Sequence, residues 1–565
     1  MRQTICILSS ALLLASCYSD KGNYDYHFDD LNEIKTVQFT PGIEETIDGK
    51  VIEFTQPLTV NDTIQRITVQ TDQSKFDNAG NLDFYWFRTY KNKQGNTVKD
   101  TVTTAGYMDV VLPMGISTTY NVMLQIHDRT TDLSHFEKFK VATRPIFKNS
   151  IFVLHGQPGS MRLGNIEKVG ADYNVRMDAY ALVHPDEANP FTNATKLMYQ
   201  ATMTFVNYTK SIESDNLIAF IDGSPALVFK PFGLDRKFNN YKSYVLPTSD
   251  QGYLTIDRIG MVGDPSNQSD YYYIIGKDGR FVTARALMSF KYPSTEDGSE
   301  QSYKVTAATI TNNDFVFWDG KNNRFLHVNR EDSYSIWNED EAYYAQLYNP
   351  LLDGHVDFST LADGLSPVGK TAIYGYVQYR ENFENEHPFF IFRDNDSRYY
   401  LYELTPLTSG KDDKDGKGSS DKPAFSIVGQ TLDGFSPSLP SSVCYNTWFP
   451  TNYIFYIDGA NVVRYNTSNG DKTTIYTAPA GYTLSCMKFR EENTLVYSSD
   501  LGRYLIIGMN NGDKGAVAEI KLATSSDVDD SYPIQFFSTD ASGQQFGNIF
   551  DVQFVHPYAY DVNVY

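Results

Sequence analysis

Between residues 37 and 143 apolar and polar positions alternate in short runs separated by turn residues: TVQF, KVIEF, RITVQT, LDFYWFRTY, MDVVLP, TYNVMLQIHD and FEKFKVAT. Alternation places successive side chains on opposite faces of a strand, so each run predicts a strand with one buried face. Seven such strands in about 100 residues predict an immunoglobulin-like sandwich. Trp86, inside the alternating run Leu82-Asp83-Phe84-Tyr85-Trp86-Phe87, is its expected core aromatic. Tyr120, Val122, Leu124 and Ile126 share one face of a further strand that ends at His127-Asp128.

The pattern changes at Arg144-Pro145. From Ile151 onward one unit recurs seven times: an apolar strand, a tight turn rich in Asp, Gly and Asn, and a second apolar strand. The copies are IFVL-HGQPGS-MRL from Ile151, AFI-DGSP-ALVF from Ala219, YYII-GKDG-RFVTA from Tyr272, FVFW-DGKNN-RFLHV from Phe315, FFIF-RDNDS-RYYLYEL from Phe389, YIFYI-DGA-NVVRY from Tyr453 and TLVYSS-DLG-RYLII from Thr494. Asp-Gly between apolar runs is a strong hairpin signal, because both residues tolerate the positive φ of the turn. Irregular spacing with long insertions suits a β-propeller of about seven blades, with six or eight open and a stacked sandwich array as the alternative. The last strand, residues 549–555, is placed to return and complete the first blade. Residues 408–422, TSGKDDKDGKGSSDK, contain no apolar side chain and predict a mobile insertion.

The N-terminus carries an address. Residues 2–17, RQTICILSSALLLASC, join one Arg to an apolar run of about ten residues, too short for a membrane span and suited to an export signal. Leu14-Ala15-Ser16-Cys17 resembles a lipobox, which implies cleavage after residue 16 and lipid on Cys17. The expected organisation is a signal peptide at 1–16, an acidic tether at 17–36, a sandwich at 37–146 and a propeller at 147–565. Cys6 leaves with the signal. Cys444 and Cys486 then remain, able to form one disulfide or to sit as two buried thiols in neighbouring strands.

Composition agrees with an all-β chain and removes several functions. Of 565 residues, 41 are Tyr and 36 Phe, side chains that fit a pleated surface. A net charge of −21 repels nucleic acid. No His-Glu-x-x-His, Walker loop, nucleophile elbow or dinucleotide fingerprint occurs, so neither a metal nor a cofactor is expected. Asp413-Lys414-Asp415-Gly416 has the heart of a calcium loop, but the flanking ligand positions are Lys411 and Lys422. Asp394-Asn395-Asp396 reads as turn chemistry. A carboxylate pair drawn from distant blades is the remaining route to a hydrolase or lyase. The segment from Tyr334 to Asn349 mixes aromatics with acids and amides, the composition of a binding surface, and Trp337, Tyr343 and Tyr344 are the residues expected to touch a ligand if it is one rather than blade packing.

The lipobox, the following Asp20-Lys21-Gly22-Asn23-Tyr24-Asp25-Tyr26 with Asn32-Glu33-Ile34, the Tyr-x-Val-x-Leu-x-Ile strand at Tyr120 and the repeat region together resemble the PKD-like family lipoproteins of Bacteroidota. That resemblance implies an outer-membrane lipoprotein facing the cell exterior, encoded beside a TonB-dependent transporter and its lid lipoprotein. It further implies a non-enzymatic accessory that captures or passes on glycan or peptide. A glycan- or peptide-degrading enzyme with its site in the propeller funnel, and a purely structural subunit of the transporter, are the alternatives.

Overall fold

The computed structural model describes residues 33–555 except 47–48, 56–63, 75–78, 92–96, 113–118, 145, 148, 170–171, 201–202, 207–209, 214–215, 232, 237–253, 265–268, 286–293, 296–302, 312–313, 330–334, 339–342, 347–349, 381–384, 408–424, 447–448, 450–451 and 492–500. The chain divides into two compact units, Met1–Pro145 and Ile146–Tyr565. Both are built from strands.

In the first unit a three-stranded sheet, ordered Ile34–Thr40, Ile64–Gln73, Tyr107–Val111, packs on a six-stranded one. The larger sheet runs Glu44–Thr46, Gly49–Thr55, Leu133–Arg144, Thr119–Asp128, Leu82–Lys91, Thr97–Thr103. Gly49–Thr55 lies parallel to Leu133–Arg144, and the other pairings are antiparallel. The core is where the alternation placed it. Trp86 is fully buried, set edge-on to Phe39 and Phe139 at 6.2 and 6.4 Å, and its indole N–H donates to the Ala105 carbonyl at 2.9 Å. Val122, Leu124 and Ile126 line the same interior. Asp128 closes their strand by accepting hydrogen bonds from the Thr130 N–H and the Asn81 amide. Two strands went unread in the sequence: Glu44–Thr46 is only three residues long, and Thr97–Thr103, TVKDTVT, carries little apolar signal.

The second unit is a β-propeller. Among its described residues there are seven sheets of three to five strands and two separate two-stranded ribbons. The first sheet is ordered Asp172–Arg176, Arg162–Val169, Ser150–His155, Ile549–Val555, so the last described strand pairs with the first strand of the unit, Val552 opposite Val153. The second contains Ala194–Gln200, Asn216–Ile221 and Leu227–Phe229, and the third Ile256–Asp264, Ser269–Gly276 and Phe281–Arg285. The fourth is built on Val305–Ile310, Asp314–Asp319 and Arg324–Asn329, and the fifth on Thr371–Arg380, Asn385–Arg393, Tyr399–Pro406 and Phe425–Thr431. The sixth comprises Tyr453–Asp458, Asn461–Asn466 and Lys472–Thr477, and the seventh Thr483–Phe489, Tyr504–Asn511, Lys514–Lys521 and Gln535–Phe537.

Sheets stack through aromatic layers, which is where many of the Tyr and Phe residues go. Trp318 and Phe325 of the fourth sheet meet Phe392 and Phe390 of the fifth at 4.9 and 5.1 Å. Tyr376 of the fifth stacks on Tyr445 at 4.6 Å beside the sixth. Aromatic pairs of this kind add about 0.5–1.5 kcal/mol each beyond the area they bury.

Six of the seven recurring turns join neighbouring strands of one sheet. Their acids work locally. Asp394 accepts from the backbone N–H groups of Asp396 and Arg398 and from the Tyr400 hydroxyl, and Asp319 from the N–H groups of Lys304 and Lys321. The seventh turn is corrected. In that sheet Tyr504–Asn511 pairs with Thr483–Phe489 before it and Lys514–Lys521 after it, so Asp500-Leu501-Gly502 belongs to the first connection. The tight hairpin is instead at Gly512, whose φ of +64° supplies the turn. The run TLVYSS and the insertion 408–422 lie outside the described residues.

Candidate functional site

Six of the seven large sheets of the second unit, with a segment bridged to the remaining one, form the wall of a cavity of about 160 Å³. The first sends Phe550 and Asp551, the second Lys196, the third Asp257–Gly260 with Tyr273, the fourth Thr309 and Ile310, and the fifth Tyr374 and Gly375. The seventh sends Ser485, Cys486, Met487 and Lys488. The sixth is represented by Leu439 and Ser441 to Cys444, a segment tied to it by paired backbone hydrogen bonds of 2.9 Å between Cys444 and Phe455. Phe550 and Asp257 are exposed, so the cavity reaches solvent on their side.

Glycine lets the lining strands come this close. A Cβ on Gly260 would fall 2.1 Å from the Tyr273 ring, and one on Gly375 would fall 2.5 Å from the Ala308 carbonyl oxygen. The same two neighbours are joined: the Tyr273 hydroxyl donates to the Ala308 carbonyl at 2.9 Å, crossing from the third sheet to the fourth.

The charges divide into committed and uncommitted groups. Asp551 is buried, receives the Lys488 ammonium at 2.9 Å and accepts the Leu197 N–H at 2.8 Å. Lys488 also donates to the Leu197 carbonyl at 3.2 Å. Arg258 donates to the Ile373 carbonyl and lies over the Tyr374 ring at 5.9 Å. Lys196 is half-buried and has no ion-pair partner among the described residues, and Asp257 stands exposed. Cys444 is buried and Cys486 half-buried; both line the cavity as thiols and form no disulfide. Burial pushes the Cys486 thiol up to about 12, with Asp551 adding to the shift and Lys488 and Lys196 opposing it. A thiol held in that form is no nucleophile at neutral pH.

This arrangement suits binding by charge and hydrogen bonds. A glycosidase needs two opposed carboxylates, one free to hold a proton. Asp551 has its oxygens occupied, which leaves Asp257 as the other carboxylate of the wall. No group of three or more His, Cys, Asp or Glu is placed to hold a metal among the described residues.

Cys17 is outside the described residues. Trp337 is on the ribbon of Ser335–Asn338 with Tyr343–Gln346, paired opposite Tyr344, while Tyr343 pairs opposite Asn338. Sequence reading missed Lys196, Arg258, Lys488 and Asp551. The signal, in retrospect, is a lone charge inside an apolar run, as in Met487-Lys488-Phe489 and Phe550-Asp551-Val552.

No curated protein matches the chain. Among solved structures, a quinoprotein alcohol dehydrogenase-like protein from Bacteroides thetaiotaomicron is similar at 10% identity and TM-score 0.32, over 89% of this chain and 95% of that one. The WD40 domain of SCAP from fission yeast is similar at 10% identity and TM-score 0.30, over 72% and 93%. A family 43 β-1,3-galactosidase is similar at 9% identity and TM-score 0.23, over 63% and 94%. None of these likenesses assigns an activity. Residues 17–188 match the PKD-like family, and the N-terminal sandwich is a PKD-like domain.

Proposed function

We propose that the protein is a surface-exposed outer-membrane lipoprotein, anchored through Cys17, that serves as a non-enzymatic ligand-binding accessory of a TonB-dependent glycan or peptide uptake complex. On this reading the seven sheets are seven blades of a ring closed by the strand Ile549–Val555. The observation that carries it is the shared cavity: six sheets and a segment bridged to the seventh meet on one polar, charged recess whose Asp551 carboxylate is already engaged. That is a recess equipped to hold a ligand rather than to transfer a proton. The lipobox and the acidic segment after it support the location.

The test is co-purification from solubilised outer membranes with a C-terminal tag, comparing the native chain with Cys17→Ala. Recovery of a TonB-dependent transporter and its lid lipoprotein with the native chain alone supports the reading. Recovery of the tagged chain by itself overturns it.

A bracing subunit is the second reading, and it has its own observation. In the PKD-like domain Ile64 and Val111 are directly paired across two strands and are 62% and 69% exposed, an apolar pair turned to water. Val111→Asp abolishing co-purification while ligand binding persists would favour a docking role for that face.

A further inference from the structure

We infer that the cavity is a receptor for a small carboxylate, held by Lys196 and Arg258. The inference rests on the ligand-binding reading above and names the class of ligand.

The wall runs against the charge of the chain. The whole sequence carries −21, yet the cavity gathers Lys196, Arg258 and Lys488 against Asp257 and Asp551. Lys488 and Asp551 satisfy one another at 2.9 Å. What remains is two cations and one exposed carboxylate, an excess of a single positive charge that matches a monoanion. Water screens Asp257, because it is exposed. Lys196 is half-buried without an ion partner among the described residues, and taking a charge partly out of water is costly unless a counter-charge compensates it.

Arg258 supplies the geometry. Its guanidinium is spanned by one donation to the Ile373 carbonyl and by the Tyr374 ring below it, which hold the plane in place. A guanidinium carries five N–H donors, so a fork suited to a carboxylate remains. Thr309 and Ser441 on the same wall offer hydroxyls to the neutral part of a ligand. The volume of about 160 Å³ is roughly tenfold what one water requires, enough for a carboxylate and the group that bears it. Cys486 adds no negative charge to repel the anion, since it stays a thiol.

Two sources share this chemistry: the uronic acid of an acidic glycan and the C-terminal carboxylate of a peptide. Calorimetric titration of the full chain with D-galacturonate, N-acetyl-L-alanine and neutral D-galactose separates them. At least one carboxylate is expected to bind, weakening between 50 and 500 mM salt, while galactose does not; binding by galacturonate alone assigns the uronic acid, and by N-acetylalanine alone the peptide end. Lys196→Met is expected to weaken binding tenfold or more with the melting temperature held, Lys196→Arg to retain it within about threefold, and Arg258→Gln to repeat the loss. The proposal is overturned if neither carboxylate binds at millimolar concentration, if galactose binds as well as galacturonate, or if both Lys196→Met and Arg258→Gln bind like the native chain. Co-purification with the transporter should be unchanged in Lys196→Met, so failure of the assembly reading and failure of the anion reading give different results.

Discussion

Arg490 grips Glu519 through two parallel hydrogen bonds of 2.6 Å in the interior of the seventh sheet. Glu519 is fully buried and also accepts the Tyr532 hydroxyl at 3.0 Å, which in turn meets the Tyr173 hydroxyl of the first sheet at 2.9 Å. The guanidinium lies between the rings of Tyr504 and Phe554, at 4.2 and 4.6 Å. Phe554 belongs to the strand that pairs with Ser150–His155, so this network joins the last sheet to the first where the ends of the unit meet.

Removing one partner of such a pair strands the other without compensation. Glu519→Gln is expected to destabilise by about 3–5 kcal/mol, whereas replacing both members by apolar residues of similar volume is expected to cost far less. Urea denaturation of Glu519→Gln and of the Arg490→Met, Glu519→Leu double variant measures both. A single variant as stable as the native chain would show that the pair contributes nothing to the seam.

His155 sits at the same seam and makes it sensitive to pH. Its Nε2 donates to the Met177 carbonyl at 2.7 Å, and its Nδ1 accepts the Gly547 N–H at 3.0 Å, so the ring is bound as the neutral tautomer. Burial, the largest cause, pulls its pKa below the ordinary 6.5. A base with a depressed folded pKa contributes stability that is fully present above 6.5 and is lost as the pH falls through the folded value. Stability should therefore drop more steeply below pH 6.5 in the native chain than in His155→Gln. Parallel pH profiles of the two would count against the assignment.

The extent to which this was legible in the sequence follows the range of each interaction. Trp86 and the Val122, Leu124, Ile126 face could be read because period-two alternation is local and one face is buried. Asp319 and Asp394 could be read because turn acids bond to backbone within a few residues. The cavity could not. Lys488 and Asp551 are 63 residues apart, and Lys196 and Arg258 come from two other sheets; only the packing of separate sheets around one cavity brings them together. The seventh turn was misassigned because Asp-Leu-Gly and Asn-Gly-Asp are equally good turn chemistry, and pairing across the sheet decides which one is the tight hairpin.

Gly260 makes a sharper test of the cavity wall than any charged residue. With its place beside the Tyr273 ring filled by a methyl group, the tyrosine must leave its hydrogen bond to Ala308 or the strand must bend. Gly260→Ala is expected to cost about 1–3 kcal/mol, as other overpacked sites do. Tyr273→Phe, which removes only the hydroxyl, should cost about 1 kcal/mol. Chemical denaturation ranks the two, and the reverse order would place the strain elsewhere.

Cys486 reports directly on the burial of that wall. A cysteine with an ordinary pKa near 8.5 reaches its full thiolate population, and its full alkylation rate, by about pH 9.5. With the Cys486 thiol pushed up to about 12, its thiolate fraction rises about tenfold per pH unit throughout that range. Iodoacetamide labelling followed by peptide mass spectrometry from pH 7 to 10 should thus show a rate at Cys486 that is still climbing at the highest pH. Lys196→Met removes a nearby positive charge that favours the thiolate and should lower the rate further at every pH. A plateau at or below pH 9 in the native chain would mean that water reaches the thiol freely and that the wall between the second and seventh sheets is open.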